Sequence, residues 1–554
     1  MSPSIGQIFA CWNTQSLRFM ERTQLNGRLM ILKRPHFQIP APTEAQALLE
    51  RIKEQFPLSE LPSQLWEYVY YDTFDSRLYK NQQLLRQETR TDVGDESWLC
   101  WLSLTGNRVL QRGRSPVQES VIQQLPSIPL RPLLEPILHP RALLSLFKIA
   151  VQQEWLVWKN KDDKTVLRVM LESTQLFREN YLEDLQHRLI ILPFRGYPKP
   201  SQQINRFCRE EGLEELNEDL FQIVCSKLEL KPGSYQPKPK LKLSPFDRTD
   251  QALRAILGES TKVMDLNHQG TIEAPDTEFL HDFRVACRRA RSALNQLKGV
   301  FPPEQIQGFR DDFAWLSDRT GPTRDLDVYL LDFNSYQTQL PEEQQADLEA
   351  FRELLLTEND KEQKLLAKDL QSKRFQKFRS TWEQFLKDET PSTTPGGAAE
   401  VRKTASKRLL RSYHRCLAEG KAIDEDSPDE ALHDLRKSCK KLRYLLEFFE
   451  SLWSTKEFQG ILKPLKALQE DLGQFNDCSV QQESLKNFGD MLAKQQPVPA
   501  QTLVAMGMLV STLNQRQAEA RQRFQGSFSG FASTRTQNRF NLLFKQPTVA
   551  EELN

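Results

Sequence analysis

This chain of 554 residues lacks the short motifs that mark many common enzymes. It has no Gly-rich loop of the GxxxxGK(S/T) type, no HExxH motif and no GxSxG elbow. Their absence excludes the usual phosphate-binding loop of nucleoside triphosphatases, the zinc-metalloprotease helix and the nucleophile elbow of α/β-hydrolases. The seven histidines are scattered, and no HxxxH pair would place two metal ligands on one helix face.

Long apolar runs and paired cysteines are missing as well. No segment approaches the roughly 20 apolar residues that span a bilayer, so no membrane partner is expected. The eight cysteines include no CxxC pair, and no cationic segment followed by an apolar one resembles a secretion signal. These features predict a soluble protein of the reducing cytoplasm. The net charge of +1 predicts no partner, because oppositely charged segments cancel in the sum.

What the sequence does contain is a basic segment that occurs twice. Residues 281–291 read HDFRVACRRAR, and residues 433–443, at an offset of 152 positions, read HDLRKSCKKLR. The same offset relates Leu294 to Leu446, Phe301 to Trp453, Leu316 to Leu468, Gly321 to Gly473, Asp325 to Asp477 and Val328 to Val480. The C-terminal half is therefore predicted to be an internal duplication.

Helical geometry places the cations of each copy on one face. At 100° per residue, positions i, i+3, i+7 and i+10 fall within an arc of roughly 80°. These positions hold His281, Arg284, Arg288 and Arg291 in the first copy, and His433, Arg436, Lys440 and Arg443 in the second. The opposite faces hold Phe283, Ala286, Ala290, Leu294 and Leu297, and Leu435, Ser438, Leu442, Leu446 and Phe449. Each helix is predicted to have an apolar back and a cationic front.

The balance of charge on these fronts is unusual. Residues 281–298 hold five Arg or Lys against Asp282 alone, and residues 433–443 hold five against Asp434 alone. Surface helices usually mix both signs, because neighbouring opposite charges stabilise one another. A basic face is often simple solvated surface, but two such faces in register predict one composite site for an anion.

A linker divides the chain at residues 231–245, where Pro, Gly and Lys break every period. Before it, alternating runs rich in β-branched and aromatic residues predict an α+β domain over 28–230, preceded by a flexible extension over 1–27. The strand-like runs are 66–71, 97–104, 165–171 and 187–192, and helices are expected near 43–55 and 202–229.

Beyond the linker, nearly every segment has helical periodicity. We predict an all-α domain over 246–545, made of two pseudo-twofold-related helical bundles, with repeat one at 246–388 and repeat two at 398–545. The predicted helices run at about 248–268, 276–299, 303–319, 324–338, 342–369, 372–387, 398–420, 428–452, 456–473, 476–493, 498–525 and 532–545. Asp276 is expected to cap one helix, and Ser427 is expected to open a capping box with Pro428 at the first helical position.

The doubled motif H-x-x-R-x-x-x-(R/K)-x-x-R, followed by TRDLDV at 323–328 and FNDCSV at 475–480, resembles the CHAD family, the conserved histidine α-helical domain. The resemblance extends over more than half the chain. It implies two four-helix bundles around a basic surface, and it implies binding of inorganic polyphosphate. Carried over by position, the binding residues are His281, Arg284, Arg288, Arg291, His433, Arg436, Lys440 and Arg443, with Arg289, Lys437 and Lys441 at the margins.

The chemistry of the two stripes suits such a ligand. Polyphosphate is a flexible polyanion, and two cationic stripes, each roughly 15 Å long, would contact several phosphates at once. Every contact would release counterions, so the affinity should depend strongly on salt. We expect polyphosphate, and polyphosphate granules with it, as the partner, and no catalytic residue, metal or cofactor.

The N-terminal part resembles the CYTH or triphosphate tunnel family. The segment YYDTFDSRL at 70–78 is similar to that family's YYDTPDxxL, and WLSLTG at 101–106 lies where LTLK is usual. This resemblance implies an antiparallel, barrel-like sheet. The family's ExExK motif, whose glutamates hold a divalent metal, aligns here with LMILK at 29–33. Because aliphatic groups cannot ligate Mg²⁺ or Mn²⁺, we expect a degenerate, inactive domain, with Lys33, Arg77, Arg86 and Lys148 as candidate secondary anion-binding residues.

Two alternatives remain open from the sequence. An active N-terminal domain would make the protein a metal-dependent triphosphatase or polyphosphatase, which phosphate release from tripolyphosphate with Mg²⁺ or Mn²⁺ would reveal. Stripes of Arg and Lys also suit the phosphodiesters of nucleic acid. Single-strand readers add aromatic stacking platforms, and Tyr444 is the only aromatic residue near the two cationic arcs.

Overall fold

The computed structural model describes residues 24–25, 28–29, 35–40, 42–94, 96–104, 109–114, 120–121, 130–216, 219–238, 241–494 and 499–545. The chain forms two compact units, a sheet unit and a helical unit. The sheet unit takes in residues up to His139 and Leu143–Tyr235, and the helical unit takes in Pro140–Ala142 and residues from Gln236 onward. No described helix is both long enough and apolar enough to cross a membrane.

The sheet unit is built on antiparallel strands, as predicted. They are β1 (Gln24–Leu25), β2 (Arg28–Leu29), β3 (His36–Ile39), β4 (Leu58–Asp72), β5 (Gln83–Arg90), β6 (Glu96–Ser103), β7 (Val109–Arg114), β8 (Ser120–Val121), β9 (Ala142–Lys159), β10 (Thr165–Phe177) and β11 (Leu182–Pro193). The main sheet has the order β3-β11-β10-β9-β4-β5-β6-β7, with β8 paired to β9, while β1 and β2 pair separately. The four strand-like runs of sequence lie in β4, β6, β10 and β11, which confirms those predictions.

Five described helices accompany the sheet: α1 (Pro42–Gln55), α2 (Arg77–Lys80), α3 (Arg131–Leu138), α4 (Pro198–Glu210) and α5 (Leu220–Lys227). The single helix predicted near 202–229 is wrong, because the chain turns between α4 and α5. Gly212 lies in this turn at φ +76°, a left-handed backbone that glycine adopts without a steric penalty.

The two faces of the sheet have different surroundings. Along β10, Leu167, Val169 and Leu171 point to one side and join the apolar core formed with α1 and α4. Successive residues of a strand point to opposite faces, so Glu172 and Thr174 lie on the other side. Both are buried there, and buried polar groups must find hydrogen-bond partners inside the sheet unit.

The helical unit contains twelve described α-helices: α6 (Thr249–Glu273), α7 (Thr277–Gln296), α8 (Pro303–Leu331), α9 (Phe333–Thr338), α10 (Glu349–Leu370), α11 (Lys373–Lys387), α12 (Pro395–Ala398), α13 (Val401–Lys421), α14 (Asp429–Phe449), α15 (Thr455–Lys494), α16 (Ala500–Phe531) and α17 (Thr534–Phe544). Short 3₁₀ segments cover Glu342–Leu348 and Glu450–Leu452.

Two predicted interruptions of the helices are wrong. The sequence predicts ends at 319 and 473, but α8 continues through Pro322 to Leu331, and α15 continues from Thr455 to Lys494. Pro322 is exposed, so the helix can accommodate its ring on the solvent side. Packing of the neighbouring residues outweighs the low helix propensity of proline and glycine at these positions. Helix propensity alone does not include this packing.

The apolar backs of α7 and α14 are confirmed. Every residue assigned to them from the sequence is buried, from Phe283 to Leu297 and from Leu435 to Phe449. Apart from Ser438, they belong to one core that contains residues of both repeats. A second core joins residues of α8, α9 and α10 to residues of α15 and α16. The repeats therefore share their cores.

Of the two helix starts predicted from the sequence, the cap of α7 is confirmed and the capping box of α14 is not. Asp276 caps α7 by accepting hydrogen bonds from the backbone N–H groups of Glu278 (2.9 Å) and Phe279 (3.3 Å). The capping box at α14 is wrong, because Pro428 is itself the N-cap residue. Ser427 contributes to the preceding turn, where its hydroxyl donates to Asp424 Oδ1 at 2.7 Å.

Candidate anion-binding site

The first half of the site lies on α7, whose buried back directs the cationic face away from the core. Arg284 donates through Nη1 to the backbone oxygen of Ser317 (3.2 Å) and to Thr320 Oγ1 (3.0 Å). Its Nε is buried and has no hydrogen-bond partner among the described residues. Arg288 is exposed and Arg291 is half-buried. Arg284 forms no ion pair within 4.0 Å in the described chain, and the same is true of Arg288 and Arg291.

His281, at the start of this face, is surrounded by cations. Its pKa is lowered to about 4, first because the ring is partly withdrawn from water and second because four positive side chains lie around it. These are Arg324, Arg288, Arg141 and Lys238. The ring is therefore neutral near pH 7, and it can offer a hydrogen bond to an anion but no charge.

Arg324 and Lys238 are two cations that the sequence analysis did not include in the site. Arg324 donates to the backbone oxygen of Thr277 at 3.3 Å and lies 3.8 Å from Glu278 Oε1. The position of the TRDLDV segment could have indicated Arg324. Its counterpart at the offset of 152, FNDCSV, follows the second basic helix just as TRDLDV follows the first. No pattern in the sequence indicated Lys238, which lies in the linker and reaches His281 through the fold.

The second half of the site lies on α14, and here carboxylates and an amide from other positions approach the cations. His433 Nδ1 donates to Asn476 Oδ1. Arg436 pairs with Asp477 at 2.9 Å, while its Nε is buried without a hydrogen-bond partner in the described chain. Arg443 pairs with Glu447 at 2.9 Å and donates to Gln469 Oε1 at 3.3 Å.

Glu447 joins the two halves, because α7 packs against α14. One of its carboxylate oxygens accepts from Arg443 and the other from Arg289 of the first repeat. Arg289 is only 6% exposed and lies over the ring of Phe448, 5.2 Å from its centroid. This places Arg289, predicted at the margin of the site, in a buried ion pair.

Lys440 and Arg288 bring the positive charges of the two repeats together. The pKa of Lys440 is lowered to about 8, first by partial desolvation and then by the charges of Arg436 and Arg288. Lys437 is exposed and pairs with Asp434 at 3.1 Å, whereas Lys441 is exposed and has no ion pair in the described chain. A count of acids along each basic segment misses Glu447, which lies just beyond the counted residues, and misses Asp477 and Asn476, which reach the site from α15 through packing.

The secondary candidates in the sheet unit are engaged with groups of that unit. Arg77 pairs with Asp75 at 3.1 Å and donates to the backbone oxygens of Leu138 (3.0 Å) and His139. Lys148 pairs with Glu67 at 2.7 Å. Lys33 lies outside the described residues.

Arg86 belongs to a charge network within the sheet unit. It pairs with Glu88, donates to Tyr70 Oη at 3.1 Å and lies over the ring of Tyr68. Glu88 also binds Arg112 at 3.0 Å. The charge of Arg86 is therefore already balanced by Glu88, a carboxylate of the same unit.

Glu172 of β10 is, like Glu88, a carboxylate that pairs with an arginine of the sheet unit. It accepts hydrogen bonds from Arg188 and from Gln153 Nε2 (3.1 Å). The described residues contain no cluster of three or more His, Cys, Asp or Glu side chains that could hold a metal ion. Of the segment 29–33, with which the CYTH family's ExExK motif aligns, Leu29 ends β2 and residues 30–33 lie outside the described residues.

Several solved structures are similar to parts of this chain. The CHAD domain from the plant Ricinus communis is 27% identical, with coverage of 54% of this chain and 96% of its own and a TM-score of 0.45. PptA from Streptomyces chartreusis is 15% identical, with coverage of 51% and 100% and a TM-score of 0.40. HpAC1 from Hippeastrum, for which a dominant triphosphatase activity is described, is 15% identical, with coverage of 37% and 99% and a TM-score of 0.26.

No curated protein matches the chain. The match that identifies part of it is with the CHAD domain family and covers residues 255–486. This range contains both copies of the basic motif, the two helices that carry them, and the TRDLDV and FNDCSV segments. Residues 255–486 of this protein therefore form a CHAD domain.

Proposed function

We propose that the helical unit binds inorganic polyphosphate through the cationic faces of α7 and α14. A CHAD domain supports a role connected with polyphosphate in general terms. The observation that carries the specific proposal is a pair of buried, unpartnered donors, the Nε atoms of Arg284 and Arg436, at equivalent positions of the two repeats. A buried donor without a partner is costly, and phosphate oxygens are strong acceptors for guanidinium groups.

The other cations of the two faces extend this surface. Arg288, Arg291, Lys440 and Lys441 form no ion pair within 4.0 Å in the part of the chain that the structure describes, so they need not release a carboxylate to bind phosphate. Because the charge of Arg288 lowers the pKa of Lys440, the two side chains lie near each other, and one phosphate chain can contact both repeats. We place this protein in the cytoplasm, in association with polyphosphate granules.

We propose that the sheet unit hydrolyses no phosphate bond. Two carboxylates of this unit, Glu88 and Glu172, are both bound to arginines. A carboxylate in such a pair would have to give up its partner to hold a divalent cation. We propose that the domain division predicted from the sequence separates a binding unit from a degenerate CYTH-like unit that docks or weakly holds phosphate.

The test is competition binding with the full-length chain. Labelled long-chain polyphosphate is bound first, and unlabelled polyphosphate, RNA or single-stranded DNA is then added in excess. We expect unlabelled polyphosphate to displace the label at concentrations at least about tenfold below those of nucleic acid, counted per phosphate. Equal displacement by nucleic acid would overturn the proposal.

A variant in which Arg284, Arg288, Arg436 and Lys440 are replaced by Ala should lose binding and keep its far-ultraviolet circular dichroism spectrum. The matched control replaces four exposed lysines of α10 and α11 by Ala and changes the net charge equally: Lys364, Lys368, Lys373 and Lys377. Equal losses in the two variants would show that the overall charge, and not this site, binds the ligand.

A further inference from the structure

The two repeats carry matching cations, but their surroundings differ. The equivalent pairs are Arg284 with Arg436, Arg288 with Lys440 and Arg291 with Arg443. In the described chain, the three first-repeat arginines form no ion pair within 4.0 Å. In the second repeat, Arg436 pairs with Asp477 and Arg443 with Glu447, both at 2.9 Å. The two repeats therefore share the cations, but only the second repeat pairs them with carboxylates within 4.0 Å in the described chain.

The difference follows from two positions of the repeat. The counterpart of Glu447 is Asn295, so the first repeat lacks that carboxylate altogether. The counterpart of Asp477 is Asp325, which interacts with Arg284 only at longer range. Arg284 instead donates to neutral oxygens of Ser317 and Thr320, and no carboxylate of the described residues lies within 4.0 Å of it.

The third matched pair differs in the cation itself. Arg288 has a planar guanidinium, which can offer two parallel N–H groups to a phosphate. Lys440 has an ammonium group, which binds a phosphate as a point charge without the planar fork of a guanidinium. In the second repeat, two of the three matched cations are thus paired with a carboxylate, and the third is a lysine in place of an arginine.

We infer that the site is asymmetric, with Arg284, Arg288 and Arg291 forming the principal phosphate subsite and Asp477 and Glu447 acting as specificity-determining residues that restrict the second repeat. This inference rests on the proposed function. A phosphate that reaches Arg436 must displace Asp477 or accept its repulsion, and the same holds for Glu447 at Arg443. A ligand long enough to fill the first subsite and extend onto the second gains less from each additional contact.

The test compares matched double variants in the full-length chain. Arg284→Ala with Arg288→Ala should weaken binding of long-chain polyphosphate at least about tenfold more than Arg436→Ala with Lys440→Ala, although each removes two cations. Equal losses in the two variants would overturn the asymmetry, but they would agree with the proposed binding of polyphosphate. Loss in neither variant would overturn the proposed function itself.

Single variants at exposed positions guard against a folding defect at half-buried Arg284. The side chains of Arg288 and Lys440 both reach solvent, so replacing either should leave the fold intact. Arg288→Ala should weaken binding more than Lys440→Ala. Asp477→Asn should strengthen binding several-fold, because it frees Arg436, and the Asp477 side chain is 63% exposed. The control Asp360→Asn, which releases Lys364 on α10, should leave affinity unchanged. Unchanged or weaker binding by Asp477→Asn would count against the inference.

Discussion

Lys440 shows how a single residue of the site can respond to pH. An ordinary lysine titrates near 10.4, but partial desolvation and the neighbouring arginines lower the pKa of Lys440 to about 8. The cation of Lys440 predominates below pH 8 and is lost above it. Lys440 therefore contributes its charge to phosphate binding at pH 7 and not at pH 9.

We expect polyphosphate affinity to fall about two- to fivefold between pH 7 and pH 9 at constant ionic strength, since one of several charge-assisted contacts is lost. Arg at this position titrates far higher, so Lys440→Arg should remove most of the fall. Fluorescence titration with labelled polyphosphate measures both proteins. A fall of the same size in Lys440→Arg would assign the pH dependence to another group.

At the scale of elements, the start of α7 determines how the principal subsite is held. Asp276 caps the helix and is buried, and its carboxylate also accepts from Arg141 (3.3 Å) and from the backbone N–H of Ala142 (2.9 Å). Arg141 bonds in turn to Asp282 at 2.6 Å, one residue after His281. Cap and ion pair together fix the first turns of the helix on which Arg284 and Arg288 lie.

Asp276→Ala removes the cap and one partner of a buried arginine, so we expect a loss of stability of about 2–4 kcal/mol. Asp276→Asn keeps a capping side chain and loses only the charge, so its loss should be smaller. Amide hydrogen exchange along α7 in the full-length chain measures the effect where it occurs. Equal exchange in both variants would show that the ion pair, and not the cap, holds the helix start.

Over the whole molecule, charge is almost balanced, with 75 Lys and Arg against 74 Asp and Glu. Overall attraction of a polyanion is therefore weak, and binding must come from the local separation of charge on α7 and α14. Each phosphate contact releases condensed counterions, so salt should affect this binding far more than the net charge of +1 suggests.

We expect affinity for long-chain polyphosphate to fall about 10- to 100-fold between 50 and 200 mM salt, as it does for proteins that make several phosphate contacts. The variant without Arg284, Arg288, Arg436 and Lys440 should show a shallower dependence, because fewer counterions are released. Equilibrium binding at four or more salt concentrations gives the slope. A slope that stays the same in this variant would place the phosphate contacts elsewhere.

Much of the architecture could be predicted from local patterns. The alternation in β4, β6, β10 and β11, the apolar backs of α7 and α14 and the cap at Asp276 depend on residues near one another in the chain, so periodicity and side-chain chemistry suffice. The continuity of α8 through Pro322 could not be predicted in this way. There, a local preference for a break opposes packing against other helices, and packing prevails.

For the site, the sequence by itself determined the repeat, the family resemblance and the face that each cation shares with its neighbours, because helical spacing decides those. Only the tertiary structure decided which cations keep their charge available. Arg289 and Arg443 meet Glu447, Arg436 meets Asp477, and Arg324 and Lys238 approach His281. Ion pairing acts over a few ångströms in space and across any distance in sequence, so two nearly identical motifs acquire different strengths when the chain folds.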